Sequence, residues 1–114
     1  GPQIIVVEPD AAPALLESIK AQSIVTTSGP VSAMGRLDCK TPSMVALAGL
    51  ARDADFFVTI TEQEAAEAVA FLAAHGIATP PSGAAGIAAV LAARPALGPK
   101  ARVLTIVSEG PEDA

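Results

Sequence analysis

Apolar residues fall along this chain in short runs and stripes broken by proline, glycine and charge. Ile4-Ile5-Val6-Val7 is a continuous β-branched run. It lacks the alternation of a half-exposed strand and predicts a strand over residues 3 to 7 covered on both faces. Glu8-Pro9-Asp10 ends it, because proline lacks the N–H that a ladder requires. Asp10 is placed to cap a helix from 11 to about 21, with Leu15, Leu16 and Ile19 inward and Glu17 and Lys20 outward. Ser23 to Thr26 is a second short strand. Thr27 to Lys40 holds Gly29, Pro30 and Gly35 and reads as a functional or connecting loop, with one helical turn near Val31 to Met34.

The second half is more regular. Thr41-Pro42 starts a helix that runs to about Arg52, a hydroxyl cap followed by proline at the first helical position. Phe56 to Ile60 is the third strand. Thr61-Glu62-Gln63-Glu64 is a capping box, and the helix it opens ends near His75 with Gly76 as its stop. Ser82 caps a helix from Gly83 to about Arg94 whose glycines and alanines permit close backbone approach. Pro95 to Lys100 is a turn, and Val103 to Val107 a last buried strand. The order β-α-β-α-β-α-α-β predicts an α/β fold of three layers, a mostly parallel sheet with flanking helices.

Composition narrows the possibilities. The chain has 114 residues, enough for one domain. Apolar residues make up 51%, too many for disorder, and 25 of the 114 are alanine. No apolar run reaches the roughly 18 residues of a membrane span, so no membrane partner is expected. Twelve acidic residues against seven Lys and Arg give a charge of −5. With only three aromatic residues, all Phe, nucleic acid is not an expected partner either. Gly1-Pro2 reads as the scar of a cleaved tag, residues 3–108 as the α/β unit, and 109–114 as an acidic tail carrying Glu109, Glu112 and Asp113. The single Cys39 excludes an internal disulfide and a cysteine-based zinc site, and fits a reducing compartment such as the cytoplasm.

Chemistry in open α/β sheets gathers beyond the carboxyl ends of strands. Glu8, Thr59 with Thr61, and Ser108-Glu109 fall there, and Ser82-Gly83 opens a helix whose N-terminus attracts anions. Each has a plain alternative: a strand end, a cap, close helix packing. His75 fits a helix-end residue better than a catalytic base. Cys39 has no neighbouring metal ligand, and only His75 to serve it as a base. Arg36 to Lys40 concentrates charge, as either a solvated loop or a loop closing over a charged ligand. No dinucleotide fingerprint or Walker loop occurs.

Val7-Glu8-Pro9, Met34-Gly35-Arg36-Leu37-Asp38-Cys39, Pro42-Ser43, Pro81-Ser82-Gly83-Ala84-Ala85-Gly86 and Val107-Ser108-Glu109-Gly110 stand in an order that resembles the C-terminal part of fold-type II pyridoxal-phosphate enzymes, the tryptophan synthase β-like superfamily. The Met34 to Lys40 segment is most similar to the diaminopropionate ammonia-lyase branch. The resemblance implies α,β-elimination from a small amino acid such as 2,3-diaminopropionate, giving an oxo acid and ammonia, with pyridoxal phosphate supplying the electronic step. It implies that Ser108 partners the pyridine nitrogen, that Ser82 and Gly83 line the cofactor cavity, that Glu8 is the acidic residue after its strand, and that Met34, Gly35 and Asp38 lie near the substrate. The lysine that carries the cofactor, the phosphate-holding glycine loop and the proton-abstracting acids lie upstream in this family. None of Lys20, Lys40 and Lys100 matches that lysine.

The expectation is therefore a C-terminal fragment, inactive alone, binding the cofactor weakly or not at all. Its partners would be the remainder of the parent enzyme, or a second copy in a homo-oligomer or strand-exchanged dimer through residues 3–7 or 103–107. The alternatives are a fragment of a threonine synthase or threonine dehydratase-type enzyme, and a stand-alone binding module without chemistry.

Overall fold

The computed structural model describes residues 1–111. Its elements are β1 (Ile5–Pro9), α1 (Ala14–Ala21), a 3-10 turn (Gly35–Leu37), α2 (Met44–Asp53), β2 (Phe56–Ile60), α3 (Glu62–Ala74) and α4 (Pro81–Leu91). The two strands pair in parallel, Ile5 opposite Phe56 and Val7 opposite Val58. The fold is thus α/β, with a smaller sheet than the four strands expected from the sequence.

Two expected strands do not form, for the same physical reason. A strand needs a partner to take its N–H and C=O groups. Val103 to Val107 forms no ladder and has no regular structure, leaving Leu104 87% and Ile106 78% exposed. In the Ser23 to Thr26 stretch, Val25 gives its N–H to the Ser18 hydroxyl at 2.9 Å rather than to a neighbouring strand.

Helix boundaries also move. Ser43, not Thr41, caps α2, accepting the Ala46 N–H at 3.4 Å. Pro80 precedes α4, which begins at Pro81 without a side-chain cap, so Ser82 is a residue of its first turn. The helical turn of the 27–40 loop lies at Gly35–Leu37, past the Val31 to Met34 position expected for it. Asp10 does not cap α1. Glu8 reaches over from β1 instead, its two carboxylate oxygens accepting the Leu15 and Leu16 amides at 2.9 and 3.0 Å. The buried stripe of α1 is Ala14 and Ser18, while Leu15, Leu16 and Ile19 are half-buried.

The α3 expectation holds in detail. Thr61 accepts the Glu64 amide at 3.0 Å, and Glu64 accepts the Thr61 amide at 2.8 Å. Gly76 takes φ +81° just beyond the helix, a conformation that costs an L side chain. His75 is the C-cap, its Nδ1 2.8 Å from the Phe71 carbonyl oxygen and its ring tilted against Phe71.

The core lies between α3, α4 and the sheet. It comprises Met34, Ile60, Leu72 and six alanines, Ala65, Ala68, Ala84, Ala85, Ala88 and Ala89. Alanine on both facing helices lets their backbones approach closely. These six of the chain's 25 alanines are therefore a packing feature. No helix of the described residues is long and apolar enough to cross a membrane. Glu112 and Asp113 of the acidic tail lie outside the described residues.

Candidate functional site

Three segments distant in sequence meet at the start of α4. The first is the 3-10 turn, where Arg36 donates its backbone N–H to the Ser82 hydroxyl at 3.1 Å. The second is the helix start itself, with Gly83 buried. The third is the chain beyond Val107. There the Glu109 carbonyl accepts the Thr79 hydroxyl at 2.8 Å, and the Glu109 carboxylate lies 3.6 Å from the Arg36 guanidinium.

Gly83 is required here by space. A Cβ on it would lie 2.0 Å from Thr79 Oγ1 and 3.4 Å from the Glu109 carbonyl oxygen. Thr79 is itself buried. Gly83 and Thr79 thus form a close seat for the 108–110 segment. Ser108, one residue before Glu109, is exposed at this corner. The uncapped start of α4 adds the partial positive charge of a helix N-terminus beside it.

The remaining expected residues divide. Met34 is fully buried in the core, so its contribution to any site is through the backbone of the turn it begins. Gly35 is exposed and opens that turn. Asp38 faces Lys40, with Oδ1 2.5 Å from the ammonium, and accepts the Ser32 amide at 3.3 Å. That pairing holds its carboxyl below the usual aspartate range, the Lys40 hydrogen bond being the largest cause and the Ser32 amide the next. Glu8 stands apart from this corner, at the start of α1. Burial pushes its carboxyl up, against the lowering effect of the two amides it accepts.

Sequence reasoning missed Glu62, whose two oxygens accept the Ser32 hydroxyl and the Ala33 amide, both at 3.1 Å. It also missed Arg94, which crosses from beyond α4 to the Thr59 carbonyl at 3.3 Å and pairs with Glu64. Neither contact has a local signal, since each joins residues about thirty apart in the chain. Cys39 is exposed, its Sγ 3.9 Å from the Arg36 carbonyl. Among the described residues no cluster of three His, Cys, Asp or Glu is placed to hold a metal ion.

The lysines lie elsewhere. Lys20 pairs with Glu17 on the exposed side of α1. Lys100 is exposed in the turn after Gly98. Lys40 gives its ammonium to Asp38 and to the carbonyls of Ala11 and Pro30.

Solved structures share this architecture. A threonine deaminase from T.th. superimposes with a TM-score of 0.77 at 24% identity, over 84% of this chain and 36% of its own. A fungal L-serine ammonia-lyase from Rhizomucor miehei gives 0.78 at 23%, over 95% of this chain and 36% of its own. Maize serine racemase gives 0.73 at 22%, over 78% and 28%. The chain thus spans about a third of the length of these solved relatives. No curated protein matches it. Residues 1–109 match a sequence family described as pyridoxal-phosphate dependent enzyme, and the chain belongs to that family.

Proposed function

We propose that this chain is the C-terminal portion of a pyridoxal-phosphate dependent ammonia-lyase, that the parent eliminates the β-substituent of a small amino acid, and that the chain alone is inactive. The observation that carries this reading is the meeting of the Met34–Leu37 turn, Ser82-Gly83 and Ser108-Glu109 at one corner. Those segments are among the ones whose order resembles fold-type II enzymes, and the Met34 to Lys40 segment is what favours the ammonia-lyase branch.

The family uses pyridoxal phosphate. The residues present fit one side of such a group. Ser108 offers an exposed hydroxyl, a neutral partner for a ring nitrogen, beside the uncapped start of α4. The residue after it, Glu109, lies with its carbonyl against Gly83 and Thr79. When bound, the cofactor supplies the electron sink that lets an amino acid lose its α-proton and β-substituent. This chain's part is to hold and orient the ring. The covalent amine and the proton-transferring groups come, in this reading, from the rest of the parent.

A groove supports that division. It has a volume of about 680 Å³ and lies between β1 and the 103–106 segment, with Ala85, Gly86 and Ala89 of α4 also lining it. In this reading a strand from the remainder of the parent fills the gap. It would pair the unpaired edges on both sides.

The leaving group separates two sibling readings. An amine leaving group corresponds to 2,3-diaminopropionate, favoured by the Met34 to Lys40 segment. A hydroxyl corresponds to serine or threonine, the amino acids named for the solved relatives. The test is to purify the parent protein with its cofactor and measure oxo acid and ammonia released from each. Release from diaminopropionate well above that from serine and threonine is expected. Release from none of the three would refute the lyase reading.

A further inference from the structure

We propose that Lys40 is a positioning residue, a tethered cation that closes the 27–40 loop and thereby holds the Met34–Leu37 turn against the start of α4. An ammonium carries three N–H donors. Lys40 Nζ finds three acceptors: the Pro30 carbonyl at 2.7 Å, the Ala11 carbonyl at 3.0 Å and Asp38 Oδ1 at 2.5 Å. They belong to the loop entry, to the corner between β1 and α1, and to the loop exit. The Lys40 side chain is only 28% exposed, so it is not an ordinary solvated lysine.

The backbone of Lys40 closes the same loop, its carbonyl accepting the Thr27 amide at 2.8 Å and the Thr27 hydroxyl at 3.2 Å. Such a loop, with joined ends and internal packing, is a compact Ω-type loop. Gly29 presses it onto the β1–α1 corner, where a Cβ would lie 2.0 Å from the Ala11 carbonyl oxygen. From Asp38 the network continues inward. Asp38 accepts the Ser32 amide, and the Ser32 hydroxyl accepts the Met34 amide at 3.0 Å while donating to Glu62. Two residues on, Arg36 reaches Ser82. Removing the ammonium leaves a half-buried carboxylate and two carbonyls facing one another, with the bridge from the loop exit to the β1–α1 corner gone at this point.

The role in catalysis rests on the reading above, but the placement of the turn does not. The test is amide hydrogen exchange by NMR on the 114-residue chain, comparing Lys40→Met, which keeps the stem, with Lys40→Ala and a distant Lys20→Ala. In Lys40→Met the Thr27, Ser32 and Arg36 amides should exchange about tenfold faster or more, with the α3 amides of Ala65 and Leu72 little changed. In Lys40→Ala, ethylammonium should restore protection, and tetramethylammonium at equal ionic strength should not, because it has no N–H to donate. Unchanged exchange at Arg36 in Lys40→Met would overturn the proposal. So would a uniform loss that includes α3, or equal rescue by both cations. Should Lys40→Ala not fold, the Lys40→Met comparison decides alone. Exchange reports the turn whatever reaction the parent performs, so its failure would leave the lyase reading standing.

Discussion

Arg36 and Ser82, forty-six residues apart, are joined by a hydrogen bond of 3.1 Å from the backbone of one to the hydroxyl of the other. The bond fastens a turn from the irregular part of the chain to the first turn of its most apolar helix. Because Ser82 does not cap α4, its hydroxyl is free for this task. Ser82→Ala should therefore loosen the turn without unwinding the helix. Thr61→Ala, which removes a true cap, should cost about 1 kcal/mol. Thermal unfolding followed by circular dichroism separates them: a larger loss from Ser82→Ala than from Thr61→Ala would contradict these roles.

Gly83 and Gly86 offer a matched pair. A methyl group on Gly83 collides with Thr79 Oγ1, and Thr79 cannot turn away without releasing Glu109. A methyl group on Gly86 meets the Thr105 side chain at 3.3 Å, and that segment carries no ladder. Gly83→Ala should destabilise by about 1–3 kcal/mol, in the range of overpacked cores, and Gly86→Ala by less. Urea denaturation of the two variants reads the difference, and equal losses would show that the Thr79 seat is soft.

Acid should act on two carboxyls in opposite directions. Glu8, raised by burial, favours the fold most when protonated. Its contribution is full below the unfolded value of about 4.3 and is lost as pH rises through the higher folded value. Asp38, lowered chiefly by the Lys40 hydrogen bond, contributes above the unfolded value of about 3.9 and loses that contribution as pH falls through the lower folded value. Carboxyl-carbon NMR should place the Glu8 midpoint above the ordinary glutamate range and that of Asp38 below the ordinary aspartate range. The reverse order would contradict the described contacts.

The unpaired segments make a prediction about association. Leu104 and Ile106 are largely exposed beside an open groove, and such edges recruit other chains. Light scattering should show self-association that rises with concentration and falls in Leu104→Lys/Ile106→Lys. A monomer over a wide range would count against it.

Much of this was legible in the residues, and what was not has a common cause. The Thr61/Glu64 box, the Gly76 stop and the apolar runs at 4–7 and 56–60 carry their instructions within a few residues, although β1 continues through Glu8 and Pro9, where the sequence placed its end, with Pro9 opposite Ile60. Val103 to Val107 has the composition of a strand, but composition cannot supply the neighbour a strand needs. Glu8 was visible as an acidic strand end, while its use as a cap for Leu15 and Leu16 depends on how β1 and α1 pack. The resemblance places Ser82, Gly83 and Ser108 around one cofactor; the structure seats the Glu109 carbonyl on Thr79 beside Gly83, a contact with no local signal in the sequence. The tie from Lys40 to Ala11 and Pro30 spans up to twenty-nine residues and leaves no periodic trace.

The central claim is that this chain holds one wall of a cofactor site and lacks its covalent anchor. Incubation with pyridoxal phosphate, borohydride reduction and peptide mass spectrometry test it most directly. The expected result is no preferred modification among Lys20, Lys40 and Lys100, with no absorbance band of a bound cofactor. Stoichiometric labelling of one of these lysines would contradict the claim.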